Sequence, residues 1–411
     1  MSSEVRAREA RCGRRLRVLV LSWNYPTAAA PLRGLWVERM CVSAAREADV
    51  RVIVPTPWVP PFIPTESLAR FRRIPQQEQR GCMWIYYPRV VGSIEYHTHG
   101  LDARLALPRV LAFARQLYEE WPFDLIHAHF IYPDGVVASQ IGRELGVPVI
   151  TSEHAFWTPW LVEKPRMGSQ VAAALPGIQL VTAVSEFLRE SVDKFIGGKV
   201  ATSVLPIAVD DIVFSPEPRH RDPNELLYVG LIRKVKRIDV LLRALAEVRR
   251  TMPNVHLRIL SSNARLAYNK DRREVRQLIS SLGLEEAVRV ETGAAPQAVA
   301  EAMRRCAFVV ISSTRRETFC SVAAESLACG TPVIVTRCGG PEEFVTELDG
   351  VMVEPDDPTA FAKGIIQAMP QRCAFDAEGM RSRIVNRFGS KAWCRQGMAT
   401  YERVVAHGIE A

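Results

Sequence analysis

Residues 306–344, CAFVVISSTRRETFCSVAAESLACGTPVIVTRCGGPEEF, admit few folds. The run AFVVIS at 307–312 is continuously apolar, as a strand buried on both faces requires. A polar turn of helix-capping residue types follows (Ser312, Ser313, Thr314, Thr318), and then Ala, Leu and Val recur at helical spacing from Phe319 to Cys329. The spacing predicts a helix starting near Thr318. A second buried strand, PVIVT at 332–336, leads into a Gly339-Gly340 turn and another helix start at Pro341-Glu342-Glu343. Two helix starts at neighbouring strand ends form the kind of crevice where open α/β sheets bind ligands.

The first amides of a helix lack intrahelical partners and favour an anion such as a phosphate. Glu317 stands just before the predicted helix start and Glu325 about two turns into it, so they are too far apart to share a proton. They are read as acceptors for ligand hydroxyls. An isolated Glu pair is more often a solvent-facing one, and its place at the mouth of a strand-turn-helix beside a Gly-Gly turn is what distinguishes this pair.

The same alternation of strand and helix runs from residue 16 to about 370, as two Rossmann-like sheets produce. With 411 residues the chain exceeds what one core usually supports. LRVLVLSW at 16–23 is a strand, followed by a loop and a helix that starts near Gly34, where a glycine permits close backbone approach to a ligand. VRVIVP at 50–55 and CMWIYYP at 82–88 are strands, and 101–120 is an amphipathic helix. In the strand DLIHAH, His127 and His129 point the same way, and Glu153-His154 closes the next strand, VPVITS. Metal binding comes into consideration there, but a third ligand is not obvious. Ser185 caps a following helix. In the second half, NELLYVGLIRKVKRIDVLLRALAEVRR at 224–250 reads as strand, basic turn and helix, with Leu241, Leu242, Leu245 and Val248 on one apolar face. Arg233, Lys234, Lys236 and Arg237 crowd the turn, and charges this close repel unless an anion sits among them.

The net charge of +8 is spread over both halves without a Lys/Arg block or an aromatic-basic motif, which argues against a nucleic-acid partner. The nine cysteines show no Cys-x-x-Cys pair and no zinc spacing, as expected of free thiols in a reducing cytoplasm. No apolar run has the length of a membrane helix. Residues 1–15 are read as a flexible basic tail rather than a signal peptide. WVPPFIPTESLARFRRIP, from Trp58, carries four prolines and is read as an irregular excursion of about 25 residues. Trp58, Phe62, Ile63 and Phe71 beside Arg70, Arg72 and Arg73 suit either a loop packed on its own domain or a lipid-linked acceptor at an anionic membrane face.

Glu317-x7-Glu325 with Phe319 two places on, then Ala-Cys-Gly-Thr-Pro-Val and Gly-Gly-Pro-Glu, resembles the retaining family-4 (group 1) glycosyltransferases of the GT-B architecture. The resemblance covers essentially the whole chain after the tail. It implies two Rossmann-like domains facing each other across a cleft, with residues 16–205 binding the acceptor and 206–389 the nucleotide-sugar donor. A C-terminal helix at 390–411 is expected to return to the N-terminal domain. By the same resemblance Glu317 touches hydroxyls of the transferred sugar and Glu325 the ribose, while Thr318, Phe319, Cys320 and Ser321 meet the donor through the backbone. Cys320 stands where the family usually has Gly. Gly34 becomes a neighbour of the sugar diphosphate, and His127, His129, Glu153 and His154 line the acceptor and sugar pocket, with His129 nearest the chemistry. In the family's Gly-Arg-x5-Lys-Gly phosphate site, Gly230 and Lys236 match, Leu231 takes the Arg position and Arg237 the second Gly. Arg233 is the candidate replacement.

The expectation is therefore a cytoplasmic, retaining, metal-independent glycosyltransferase without a cofactor, with Lys236, Glu317 and His129 as catalytic residues. It uses a nucleotide sugar and a hydroxyl acceptor, in the setting of surface polysaccharide or glycolipid assembly, where peripheral contact with the inner membrane face is an open option. A non-catalytic nucleotide-sugar binder of the same fold is the alternative. A paired-Rossmann dehydrogenase is disfavoured because no Gly-x-Gly-x-x-Gly follows a strand.

Overall fold

The computed structural model describes residues 14–62, 66–91, 100–156, 164–217, 220–261, 269–314 and 316–408. All but two residues of the basic tail, and Ile63 of the excursion, lie outside them. The chain divides into two compact units, Met1–Ile207 with Trp393–Ala411, and Ala208–Ala392.

The first unit is built on an eight-stranded sheet. In chain order its strands are β1 (Arg17–Leu21), β2 (Asp49–Ile53), β3 (Gln77–Arg80), β4 (Met83–Tyr86), β5 (Leu125–His129), β6 (Val149–Glu153), β7 (Leu180–Ala183) and β8 (Ala201–Val204). They lie side by side as β8-β7-β6-β5-β1-β2-β4-β3, parallel except for the β3–β4 hairpin. β1, β5 and β6 are buried almost throughout, so the polar residues that β5 and β6 carry, His127, His129, Thr151, Ser152 and Glu153, are buried with them. The order reverses direction between β5 and β1, so the loops after these two strands diverge around one crevice.

The second unit carries a six-stranded, all-parallel sheet of β9 (Glu225–Val229), β10 (His256–Ser261), β11 (Val288–Thr292), β12 (Phe308–Ile311), β13 (Val333–Thr336) and β14 (Gly350–Val353), ordered β11-β10-β9-β12-β13-β14. Here the reversal falls between β9 and β12, where Leu226 pairs with Phe308. Leu241, Leu242, Leu245 and Val248 of the Ile238–Val248 helix pack into a core with Leu226, Ile259, Phe308 and Phe361. The chain is thus α/β with two Rossmann-like parallel sheets.

Several boundaries differ from expectation. The helix after β12 starts at Ser321, three residues beyond Thr318, because Cys320 occupies the N-cap position in the left-handed region at φ 69° and makes no side-chain cap. The second expected helix start, Pro341-Glu342-Glu343, is a four-residue 3-10 turn, Gly340–Glu343. The Pro-rich excursion holds more structure than its prolines suggest: Thr56–Pro57 pairs with Arg89–Val90, and Glu66–Arg72 is a helix. Phe71 is buried there, while Trp58 and Phe62 are 56% and 81% exposed. β3 and β8 carry no strong apolar signal, and they come from the structure, as does β14. The terminal helix begins at Ser390, after Gly389 interrupts the helical run, and its residues Trp393 and Tyr401 bond to Pro206 O (2.8 Å) and His127 Nδ1 (2.8 Å) within the first unit.

Candidate active site

The second unit assembles its site from the turns after β9 and β12. The basic turn forms a short 3-10 segment, Lys234–Lys236, and Arg237 enters the next helix at φ 46°. Ser312 Oγ donates to Lys236 O at 2.8 Å and Thr314 N–H to Val235 O at 3.0 Å, so the two turns are fastened together. Across that seam Lys236 Nζ forms an ion pair with Glu317, whose Oε1 also accepts from Ser313 Oγ at 2.5 Å. Burial opposes the charge of Glu317, but the Lys236 ammonium and the Ser313 hydroxyl hold its carboxyl below the usual range. Burial likewise works against the Lys236 ammonium, yet Glu317 raises its pKa above the ordinary lysine value. The pair is ionised across the neutral range.

Glu317 is also fixed through its backbone. Its N–H donates to Cys338 O at 2.9 Å, and its carbonyl accepts from Gly340 N–H at 2.8 Å. A Cβ at Gly340 would lie 2.6 Å from Thr318 O and 2.7 Å from Phe319 Cα, so the Gly-Gly turn exists to let this strand end approach. Cys320 sits beside Glu317 and Lys236, and burial pushes its thiol up to about 12, which keeps it neutral. Glu325 is buried in the second turn of the Ser321–Ala328 helix.

Not every expected donor residue faces this arrangement. The Phe319 ring is buried against Phe344 and Phe388, so only its backbone is available to a ligand. Thr318 and Ser321 are half-buried on either side of it. Gly230 closes β9, its N–H donating to Leu260 O at 3.0 Å. Arg233 is exposed and lines a groove with Lys234, Arg237, Asp239, Asp271 and Glu274, a lining that includes neither Lys236 nor Glu317. Arg237 is committed to Asp239, at 3.0 Å through two nitrogens, and to Asp356.

In the first unit the ends of β5 and β6 bring three histidines into contact. His127 uses both ring nitrogens internally, Nδ1 with Tyr401 Oη (2.8 Å) and Nε2 with Ser152 Oγ (2.7 Å), so it props the strand end from within. His129 Nδ1 meets His154 Nε2 at 3.0 Å, while the buried His129 Nε2 has no hydrogen-bond partner among the described residues. Burial lowers the pKa of His127 and His154 to about 3 and that of His129 well below its usual value, so all three are neutral. Glu153 accepts from the N–H groups of His154 (2.8 Å), Ala155 (3.0 Å) and Ile131 (3.3 Å), which makes it a cap for these turns. Gly34 enters its helix at φ 67°, and a Cβ there would lie 2.1 Å from Asn24 O. Among the described residues no group of three or more His, Cys, Asp or Glu is placed to hold a metal ion, and no helix is long and apolar enough to cross a membrane.

Ser313, Ser152 and Tyr401 complete these clusters, and the sequence does not mark them as site residues. Ser313 had a legible signal, four residues before Glu317 in the same turn. Tyr401 had none, since it reaches His127 across 274 residues.

Two family models match in tandem, Glycosyltransferase Family 4 over residues 37–211 and Glycosyl transferases group 1 over residues 210–387. The D-inositol 3-phosphate glycosyltransferase 1 of Catenulispora acidiphila is 30% identical over 290 residues, 64% of this chain and 68% of that one. The chain belongs to the group 1, family-4 glycosyltransferases. A second relative of this glycosyltransferase, the D-inositol 3-phosphate glycosyltransferase of Thermobifida fusca, is 29% identical over 58% of this chain and 60% of its own. Among solved structures, sucrose-phosphate synthase from Thermosynechococcus elongatus superposes with a TM-score of 0.76 at 18% identity, covering 96% of this chain and all of that one. Anabaena Alr3699/HepE in complex with UDP-glucose gives 0.69 at 19% identity, over 94% of this chain and all of that one. The glycosyltransferase therefore has the GT-B fold, and its coarse activity is sugar transfer from a nucleotide sugar.

Proposed function

We propose that the enzyme is a retaining, metal-independent transferase that moves a sugar from a nucleotide-diphosphate sugar to a hydroxyl acceptor, with the donor held by the second unit. The observation that carries this is the ionised Lys236–Glu317 pair at the β9/β12 reversal, immediately before the Ser321–Ala328 helix. Breaking the bond between the anomeric carbon and the diphosphate places negative charge on the leaving oxygen. An ammonium has three N–H donors, so Lys236 keeps donors for that oxygen while paired with Glu317. The amino end of the helix adds oriented amides. Glu317 and Glu325 accept from sugar and ribose hydroxyls. The acceptor oxygen bonds to the anomeric carbon on the face the diphosphate leaves. Its proton passes to the departing phosphate oxygen, so no protein nucleophile is needed.

His129 and the turns capped by Glu153 form the acceptor side of the first unit. The relatives' names favour a hydroxyl of a phosphorylated cyclic polyol as acceptor. A lipid-linked acceptor in surface glycan assembly is the second reading, favoured by exposed Trp58 and Phe62 beside Arg70 and Arg72. UDP-, GDP- and ADP-sugars, each with EDTA present, are the first test, read by thermal shift and by turnover with D-inositol 3-phosphate or a prenyl-phosphate sugar. A ligand that binds the native state raises its melting temperature. Proton NMR of the product then reads the anomeric configuration. Binding without any turnover would favour the non-catalytic alternative, and an inverted anomer or a strict metal requirement would refute the mechanism.

A further inference from the structure

The carboxylate of Asp134 lies in the turn after β5 and is fully buried. Its Oδ1 accepts the Trp23 N–H, in the loop after β1, at 2.7 Å, and its Oδ2 has no hydrogen-bond partner among the described residues. Burial, with Glu153 adding repulsion, raises its pKa well above the ordinary aspartate value, against the pull of the Trp23 N–H and Arg33. Glu153 at the end of β6 does the same for the β5 turn through Ile131 N–H. Carboxyl groups thus stitch the three neighbouring strand ends β6, β5 and β1 in succession. From Trp23 the constraint continues along the loop. Ser22 Oγ bonds to Asn24 O at 3.1 Å, Asn24 Oδ1 accepts from Arg33 Nε at 3.2 Å, and Gly34 lies against Asn24 O.

We infer that Asp134 is a positioning residue, which sets the Trp23–Gly34 loop relative to His129 through one buried backbone hydrogen bond. The consequence for acceptor binding rests on the proposed function; the consequence for the loop does not. Asp134→Asn keeps an acceptor oxygen of the same shape, and Asp134→Leu fills similar volume with none. Hydrogen exchange on the full chain is expected to leave the peptide spanning 22–34 protected in the Asn variant. In the Leu variant it is expected to speed exchange there by about tenfold or more without matching change in β12 and β13. With UDP-glucose and D-inositol 3-phosphate as probes, the Leu variant raises the acceptor KM about tenfold while kcat stays within about twofold, a split that loss of folded enzyme does not produce. Equal exchange in the Leu variant and the parent, or equal damage from Asn and Leu, would overturn the assignment. Absence of turnover in the parent itself counts against the proposed function, and the exchange comparison still decides the role of Asp134.

Discussion

Lys236 and Glu317 are 81 residues apart in the chain, yet they meet as an ion pair at the carboxyl ends of β9 and β12, the two strands between which the second sheet reverses its order. The pair forms because Ser312 and Thr314 of one turn bond to the backbone of the other, and because Gly340 lets the β13 turn close over Glu317. Under the proposed function this cation, fixed by a carboxylate, is the group that meets the donor diphosphate.

The pair gives a defined pH signature. Glu317 has a folded pKa below the ordinary glutamate value of 4.5, so its contribution is present above that value and is lost as pH falls through the folded one. Lys236, raised above 10.5, contributes below that value and is lost as pH rises through the folded one. In Lys236→Met, Glu317 loses its partner, and urea unfolding is expected to show a deficit near pH 7 that shrinks below about pH 4.5. A deficit independent of pH would show that packing, rather than charge, is what the lysine contributes.

The histidines predict acid sensitivity of the first unit. His127 and His154 are held near 3, while the unfolded chain takes up protons near 6.5. The unfolded state therefore binds more protons between these values, and stability falls as pH is lowered through that window. His154→Gln is expected to flatten the slope of unfolding free energy against pH between 6.5 and 4. An unchanged slope would mean the imidazoles stay accessible to protons in the folded state.

Gly34→Ala places a methyl 2.1 Å from Asn24 O on a backbone with φ 67°. The strained backbone alone costs about 1–2 kcal/mol, and the clash adds to it. The expected result is a destabilisation of roughly 2 kcal/mol or more in urea unfolding; a loss below about 0.5 kcal/mol would show that the loop relaxes freely.

Cys320 is also left-handed, but carries a side chain. Cys320→Gly is expected to leave stability within about 1 kcal/mol, because relief of strain offsets the greater freedom of the unfolded chain. Cys320→Val, β-branched on the same backbone, is expected to lose about 2 kcal/mol. Equal effects of the two substitutions would refute the role of backbone strain.

Much of this was legible in the residues themselves. AFVVIS, PVIVT and DLIHAH announce buried parallel strands, and the helix face of Leu241 to Val248 lies in the core as its spacing predicts. Glu317, Lys236, His129 and His154 could be picked out as strand-end polar residues. What local sequence could not convey was backbone sign and long-range pairing. Thr318 looks like a better cap than Cys320, but the close approach of Gly340 holds residues 318 and 319 in the loop and delays the helix to Ser321. His127 looks as ligand-ready as His129 until Tyr401 and Ser152 are seen to occupy both its nitrogens. Strand β3 is polar along its length because it is an edge, and its Arg80 reaches Glu38 at 2.7 Å in a way no periodicity reports.

The most direct measurement is donor turnover and donor affinity for Lys236→Ala beside the parent protein, using whichever nucleotide sugar raises its melting temperature. If the ammonium stabilises charge on the departing diphosphate, kcat falls on the order of 10²–10³-fold in a variant that still folds. Undiminished turnover by folded Lys236→Ala would contradict that role for the lysine.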